Sequence, residues 1–276
     1  MSKNLIVPHQ IMSDAKDNLA ILCAYIYMET RAGKDGALIT SLELLMRHCG
    51  YTYNKRSKEL GYIDKVIDAV NYLKQINYIE QINDKYDVEA LGGVDVGKPA
   101  AFFTVRINQD MGVRNEGHFF QVTVNDYIKI VQYAKSTTMS SLGKMTYVFC
   151  FICRYIYRRR KNFVDDYRHE EENMKMALDT PNYFFANYDR MSDWLGGGFS
   201  RSTLIRILKL LEECEVVHYS SVAGHKQGES ESHKRLGSVF VLHSKYWEAE
   251  LNSAIEMERG KRMNFIRKES QQQQAV

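Results

Sequence analysis

Residues 189–222, DRMSDWLGGGFSRSTLIRILKLLEECEVVHYSSV, decide the fold. Asp189–Leu195 reads as a short helix, and Gly196–Phe199 as a turn whose glycines free the backbone. Ser200–Cys214 reads as a longer helix, because Leu204, Ile205, Leu208 and Leu211 recur at helical spacing and make one inward side. Val216–Val222 and Ser238–Leu242 are rich in strand-forming residues. Between them Ala223–Gly237 is polar, contains glycine and carries Lys226, Lys234 and Arg235. Helix, tight turn, helix and β-hairpin is the order of a winged helix-turn-helix.

The same order occurs upstream. Apolar residues at helical steps from Asp14 to Arg31 predict a first helix, with Ser13 or Asp14 as its cap, and Ala37–Thr40 predicts a brief extended segment. A second helix runs from Ser41 to Cys49 and stops at Gly50. The third buries Ile63, Val66, Ile67, Val70, Leu73 and Ile76 and turns Asp64, Lys65, Asp68 and Asn71 to solvent. Strands follow at Tyr78–Ile82 and Ala101–Ile107, with Tyr86–Leu91 and the Gly-rich stretch 92–99 between them. A constant shift of 138 positions pairs Val66 with Leu204, Val70 with Leu208, Leu73 with Leu211 and Ile79 with Val217, which points to one unit used twice.

The fold class expected is therefore mostly α with small β-hairpins (α+β), as two tandem winged helix-turn-helix domains. The polar stretch 108–117 places the first domain at 1–110 and the second at 111–245. His118–Val124 would be a strand and Asn125–Lys135 a short helix leading into the second unit, whose first helix would be Ser141–Arg160. Residues 162–187 read as an inserted segment ending in Tyr183, Phe184 and Phe185. Residues 246–276 read as a terminal helix with Trp247, Leu251, Ile255 and Met263 on one side, then a Gln-rich disordered tail.

Length and composition bound the rest. The 276 residues suffice for two domains, and 45% hydrophobic with 26% charged residues is ordinary for a globular chain. Three prolines against eighteen tyrosines describe a helical chain with few rigid linkers and Tyr-rich surfaces suited to polar partners. A net charge of +3 requires any basic surface to arise by local segregation. Five cysteines, an odd number, fit buried thiols in a reducing compartment. Cys150-x-x-Cys153 lies inside an apolar helical run and reads as a packed pair rather than half of a zinc site. The first ten residues do not resemble a signal peptide, and no stretch is long enough to span a membrane, so a cytoplasmic location is expected.

Catalytic motifs are missing. The sequence has no phosphate loop, no dinucleotide fingerprint, no H-E-x-x-H and no G-x-S-x-G, and the triple glycine 196–198 lacks the Lys-Ser/Thr pair of a phosphate loop. Asp165, Asp166 and Glu170–Glu172 form a charge run, which is usually a solvated face. No enzymatic activity, cofactor or metal is expected.

Nucleic-acid chemistry is better provided for. Ser200, Arg201, Ser202, Thr203 and Arg206 open the third helix of the second unit, where side chains face base edges and backbone N–H groups can hold phosphate. Ser200 is equally a helix cap. In the first unit the long connection 51–61 carries Lys55, Arg56 and Lys58 beside Tyr51 and Tyr53, a pattern suited to a phosphate track, with Lys65 one turn into the helix. Lys226, Lys234 and Arg235 mark the second wing as a further contact, with Glu229 and Glu231 opposing it. The cluster Arg158, Arg159, Arg160 and Lys161 fits phosphate binding and intramolecular pairing equally well.

The segments Ser41–Gly50 with Ile63–Ile82, and Asp189–Leu195 with Ser200–Val222, resemble the two winged-helix units of replication initiation proteins from plasmids and phages of low-GC Gram-positive bacteria. The likeness is architectural and covers most of the chain. It implies binding of double-stranded DNA at repeated origin sites, often as a homodimer, and recruitment of a host helicase-loading protein. A transcriptional regulator and a protein-interaction scaffold are the alternatives.

Overall fold

A computed structural model describes residues 4–83, 98–108, 119–157, 169–196, 198–224 and 234–274. The chain is mixed α+β with small antiparallel sheets, and it divides into two compact units, 1–154 and 155–276.

The first unit contains β1 (Asn4–Pro8), α1 (His9–Asp14), α2 (Ala20–Arg31), β2 (Ala37–Thr40), α3 (Leu42–His48), α4 (Lys55–Glu59), α5 (Tyr62–Gln75), β3 (Ile79–Asn83) and β4 (Phe103–Ile107). Next come β5 (Phe119–Thr123), α6 (Val124–Ser136) and most of α7 (Leu142–Tyr157). The second unit contains α8 (Glu170–Asp179), β6 (Phe184–Ala186), α9 (Tyr188–Leu195), α10 (Arg201–Glu213), β7 (Val217–Gly224), β8 (Lys234–Leu242) and α11 (Trp247–Gln274).

Helix α2 is the axis of the first unit, with every residue from Ala20 to Met28 buried. A helix apolar all round needs neighbours on every side, and its tyrosines tie them in. Tyr25 donates to the Ile6 carbonyl of β1 at 2.7 Å and packs on Tyr78 at 4.6 Å between ring centroids. Tyr27 shares a 3.1 Å hydrogen bond with Thr40 of β2 and lies 4.3 Å from the His48 ring of α3. Many of the tyrosines, among them Tyr25, Tyr27, Tyr78 and Tyr127, thus build the core with their hydroxyls satisfied inside it, rather than a surface. The helix opens at Ala20, whose N–H donates to the Asn18 side chain, and not at Ser13 or Asp14.

The division after Arg154 differs from the boundary expected near residue 110. Strand β5 pairs antiparallel with β1, Asn4 opposite Thr123 through Pro8 opposite Phe119, and so belongs to the N-terminal unit. The Tyr127 hydroxyl of α6 bonds His48 Nδ1 at 3.0 Å. At Gly143 of α7 an added Cβ would overlap the Cys49 carbonyl oxygen, so α7 approaches α3 as only glycine allows. The predicted first helix of the second unit, 141–160, therefore packs largely in the first. The expected linker 109–117 lies outside the described residues.

The sheets of the two units have one order. In each, the strand before the second helix sits at an edge and the returning hairpin strand in the middle: β2-β4-β3 and β6-β8-β7. Local details repeat at corresponding places in the two units. Ser41 and Asn187 follow the edge strands as helix caps, accepting from Leu44 N–H and Arg190 N–H, and the second helices end at Gly50 (φ 79°) and Gly196 (φ 91°). After the third helices Asn77 (φ 59°) and Glu215 (φ 53°) adopt the left-handed conformation, and Tyr78 N–H and Val216 N–H return to the carbonyls of Leu73 and Leu211. Two non-glycine residues in that sparsely populated region at equivalent positions mark one built turn used twice.

This repetition revises the reading of 162–187 as an insertion. Helix α8 precedes edge strand β6, as α2 precedes β2, so both are parts of the second unit rather than an addition to it. Their partner is α11, which packs on α8, β7 and β8 around Tyr183, Val222, Val239, Val241 and Ala254. The buried Glu250 carboxylate accepts from Asn182 N–H at 3.0 Å, and Glu258 accepts from the Tyr183 hydroxyl at 2.6 Å and from Lys261 at 2.7 Å. Backbone helix continues to Gln274 rather than ending before the Gln-rich stretch, since Glu, Ser and Gln contain no breaker.

His48 gives the first unit a pH dependence. Burial first, then the fields of Arg31, Lys135 and Arg47, push its imidazole from 6.5 down to about 4. Between those values the unfolded chain binds the proton and the folded chain does not, so stability present above pH 6.5 falls as the pH drops toward 4. The loss is up to roughly 3 kcal/mol. Urea midpoints measured from pH 7 to 4 should fall more steeply for the wild type than for His48→Gln, and parallel curves would remove His48 as the cause.

Candidate nucleic-acid interface

The second unit presents α10 through a tight helix-to-helix turn. Phe199 N–H bonds the Gly196 carbonyl at 3.2 Å, and the Ser192 hydroxyl donates to the Phe199 carbonyl. Ser200 caps α10 by accepting from Thr203 N–H at 3.3 Å. Leu204, Ile207, Leu208 and Leu211 are buried, and this fixes which residues point out. Arg201, Ser202, Arg206 and Lys209 are exposed and Thr203 half-buried. The inward side differs by one position from the expected one: Ile207 is buried and Ile205 only half so, just as Ala69 replaces Ile67 in α5.

The five residues expected to open this face lie together on the first two turns of α10. Arg201 is held by Asp189 at 3.5 Å, an exposed pair that a phosphate can displace at little cost. Arg206 makes no hydrogen bond or ion pair among the described residues. Ser200 is committed to capping, its hydroxyl lying 3.1 Å from Ser202 Oγ and 3.0 Å from Thr203 Oγ1. Lys209, one turn beyond Arg206, joins the same face; its spacing from Arg206 is the signal in the sequence that finds it.

In the first unit the connection 51–61 is not a loop but contains α4, because Asn54 caps it by accepting from Ser57 N–H at 2.8 Å. Lys55, Arg56 and Lys58 are all exposed there, and Lys55 faces Glu59 at 3.9 Å. Tyr51 stacks on Tyr62 with centroids 4.4 Å apart and planes 7° from parallel, and the Lys65 ammonium lies 5.9 Å from the Tyr62 centroid. Burial raises the Tyr51 hydroxyl well above the ordinary phenol range.

The third helices differ in charge, with opposite signs at one equivalent pair, Arg206 in α10 and Asp68 in α5. Where α10 has exposed Ser202, half-buried Thr203 and exposed Arg206 and Lys209, α5 has Asp64, Lys65, Asp68 and Asn71, all exposed. Carboxylates repel phosphate, so α10 would suit a phosphate better than α5, beside which the first unit exposes Lys55, Arg56 and Lys58 on α4.

Strands β7 and β8 run antiparallel, with Lys234 opposite Gly224 and Arg235 opposite Ala223, past a bulge at Val222/Ala223. These are the last paired positions before residues 225–233, which lie outside the described residues. Lys226 lies outside the described residues, as do the cluster 158–161 and the carboxylates Asp165 and Asp166. Glu170 pairs with Lys245 at 2.6 Å. Among the described residues the cysteines are buried and form no disulfide, no group of His, Cys, Asp and Glu could hold a metal ion, and no helix is long and apolar enough to cross a membrane.

No protein-family model matches the chain, and no curated protein matches it either.

Ser200 separates capping from phosphate contact. Ser200→Ala should lower unfolding stability by about 1 kcal/mol, and Ser200→Asp should restore it because aspartate also caps. Urea denaturation checks both, and an unchanged midpoint in Ser200→Ala would deny the cap its contribution.

Proposed function

We propose that the chain is a sequence-specific double-stranded DNA-binding protein made of two winged helix-turn-helix units, acting as the replication initiator of a plasmid or phage. The observation that carries this reading is the basic and hydroxyl face of α10, exposed Ser202, Arg206 and Lys209 with half-buried Thr203, set after a tight turn and followed by the pair of strands in which Lys234 and Arg235 open β8. A helix so placed offers side chains long enough for base edges, with Arg206 able to read guanine through its two-donor fork. Arg201, Ser202 and Thr203 sit where phosphates flank a groove-bound helix. The shared order of helix, edge strand, two helices and hairpin supports a winged helix in each unit.

Lys55, Arg56 and Lys58 on α4, with Lys65, serve as a phosphate-contacting surface of the first unit, and the acidic face of α5 suits them to holding backbone rather than reading guanine. Initiation, binding as a homodimer and recruitment of a host helicase-loading protein follow from the resemblance to Gram-positive initiators. The protein acts by binding and assembly, without catalysis.

Selection of bound duplexes from random DNA should yield a defined site. Against that site the double variant Arg201→Ala/Arg206→Ala should bind at least tenfold more weakly, about the cost of one lost base contact. The triple variant Lys55→Ala/Arg56→Ala/Lys58→Ala should reduce the dependence of affinity on salt. Unchanged affinity in the double variant would take α10 out of the interface. A plasmid whose only origin contains the selected site as repeats should be maintained when the chain is supplied; loss of that plasmid with intact binding would leave a regulator of transcription.

A further inference from the structure

The first unit contains a cavity of about 370 Å³ between the end of α2, β2, α3 and the end of α6. Three cations line it, Arg31, Arg47 and Lys135, and no carboxylate does. Glu43 holds Arg47 at 2.8 Å. Arg31 and Lys135 make no hydrogen bond or ion pair among the described residues, which leaves an excess of roughly two positive charges. Besides His48, the rest of the lining is apolar or aromatic: Tyr27, Leu38, Leu44, Met139 and Ile39, which is 70% exposed. His48 forms part of the wall and is 93% buried, with only its Nδ1 engaged, by Tyr127.

We propose that this cavity is a binding site for a small phosphate ester with an apolar or aromatic body, of the size of a nucleoside monophosphate. A phosphate monoester carries between one and two negative charges near neutral pH, matching the unpaired Arg31 and Lys135, where a single carboxylate would leave one cation uncompensated. Guanidinium forks hold phosphate oxygens through paired N–H donors. The volume falls in the range of small-ligand sites, and Leu38, Ile39 and Leu44 provide the apolar wall that such sites place beside a few polar groups. A concave, partly apolar cleft fits a small molecule better than it fits a DNA backbone, which needs cations on an open surface. His48 remains uncharged there, its imidazole held down to about 4 by burial and by the same three cations, so its free ring nitrogen is available for a neutral hydrogen bond.

Titration calorimetry of the full chain with adenosine monophosphate tests this, with inorganic phosphate and a duplex of arbitrary sequence as comparisons. The expected result is one site for the monophosphate in the submillimolar range, at least tenfold weaker for inorganic phosphate. In Arg31→Gln/Lys135→Gln affinity should fall at least tenfold. Both residues are exposed, so circular dichroism of the variant should match the wild type. The His48 imidazole resonances should move on titration of the wild type, which places the ligand in this cleft. The proposal is overturned by the absence of binding up to 5 mM, by equal affinity for inorganic phosphate, or by affinity unchanged in the variant. A variant that loses duplex binding while the monophosphate never binds would also overturn it, by assigning these cations to a DNA surface. Duplex affinity unchanged in the variant keeps this site separate from the DNA-binding reading.

Discussion

What each third helix shows to solvent is set by what it must bury. In α5 the buried set is Ile63, Val66, Ala69, Val70 and Leu73, and in α10 it is Leu204, Ile207, Leu208 and Leu211. Each large apolar side chain buried contributes about 1.5–3 kcal/mol, far more than any surface contact, so the helix cannot roll to suit its outer face. With rotation fixed, the helical period dictates that 64, 65, 68 and 71, or 202, 203, 206 and 209, point outward. The left-handed residues Asn77 and Glu215 then turn the chain directly into the hairpin beside that face.

One scaffold thus carries two different surfaces. The second unit places Arg206 and Lys209 on the third helix itself, whereas the first places Asp64 and Asp68 there beside Lys65 and adds Lys55, Arg56 and Lys58 on α4, in the longer connection that the second unit lacks. A net charge of +3 conceals this partition, because acidic and basic residues are sorted between faces rather than between units.

Much of this was legible in the residues. The repeated third helix and first hairpin strand follow from apolar periodicity, which reports burial directly, and the α10 face follows from the same register. What escaped reading depended on partners distant in sequence. Strand β1 is too short to announce itself and exists because β5 lies beside it. Leu142–Tyr157 is as apolar as any first helix, yet the close approach at Gly143 keeps most of it with the first unit. Glu170–Glu172 reads as part of a solvated charge run, yet it opens a helix, Glu170–Asp179, that packs on α11. Helix α4 depends on one cap at Asn54, a local hydrogen bond that hydrophobic patterning does not register.

The proposed role of these basic faces is to hold a DNA backbone, and it is read from the affinity of the full chain for its selected duplex as salt is raised from 50 to 200 mM. If α10, α4 and the second hairpin together neutralise about six or more phosphates, affinity should fall by roughly 10³ or more. A change of less than about tenfold over that range would mean the cations do not face phosphate, and it would contradict the account.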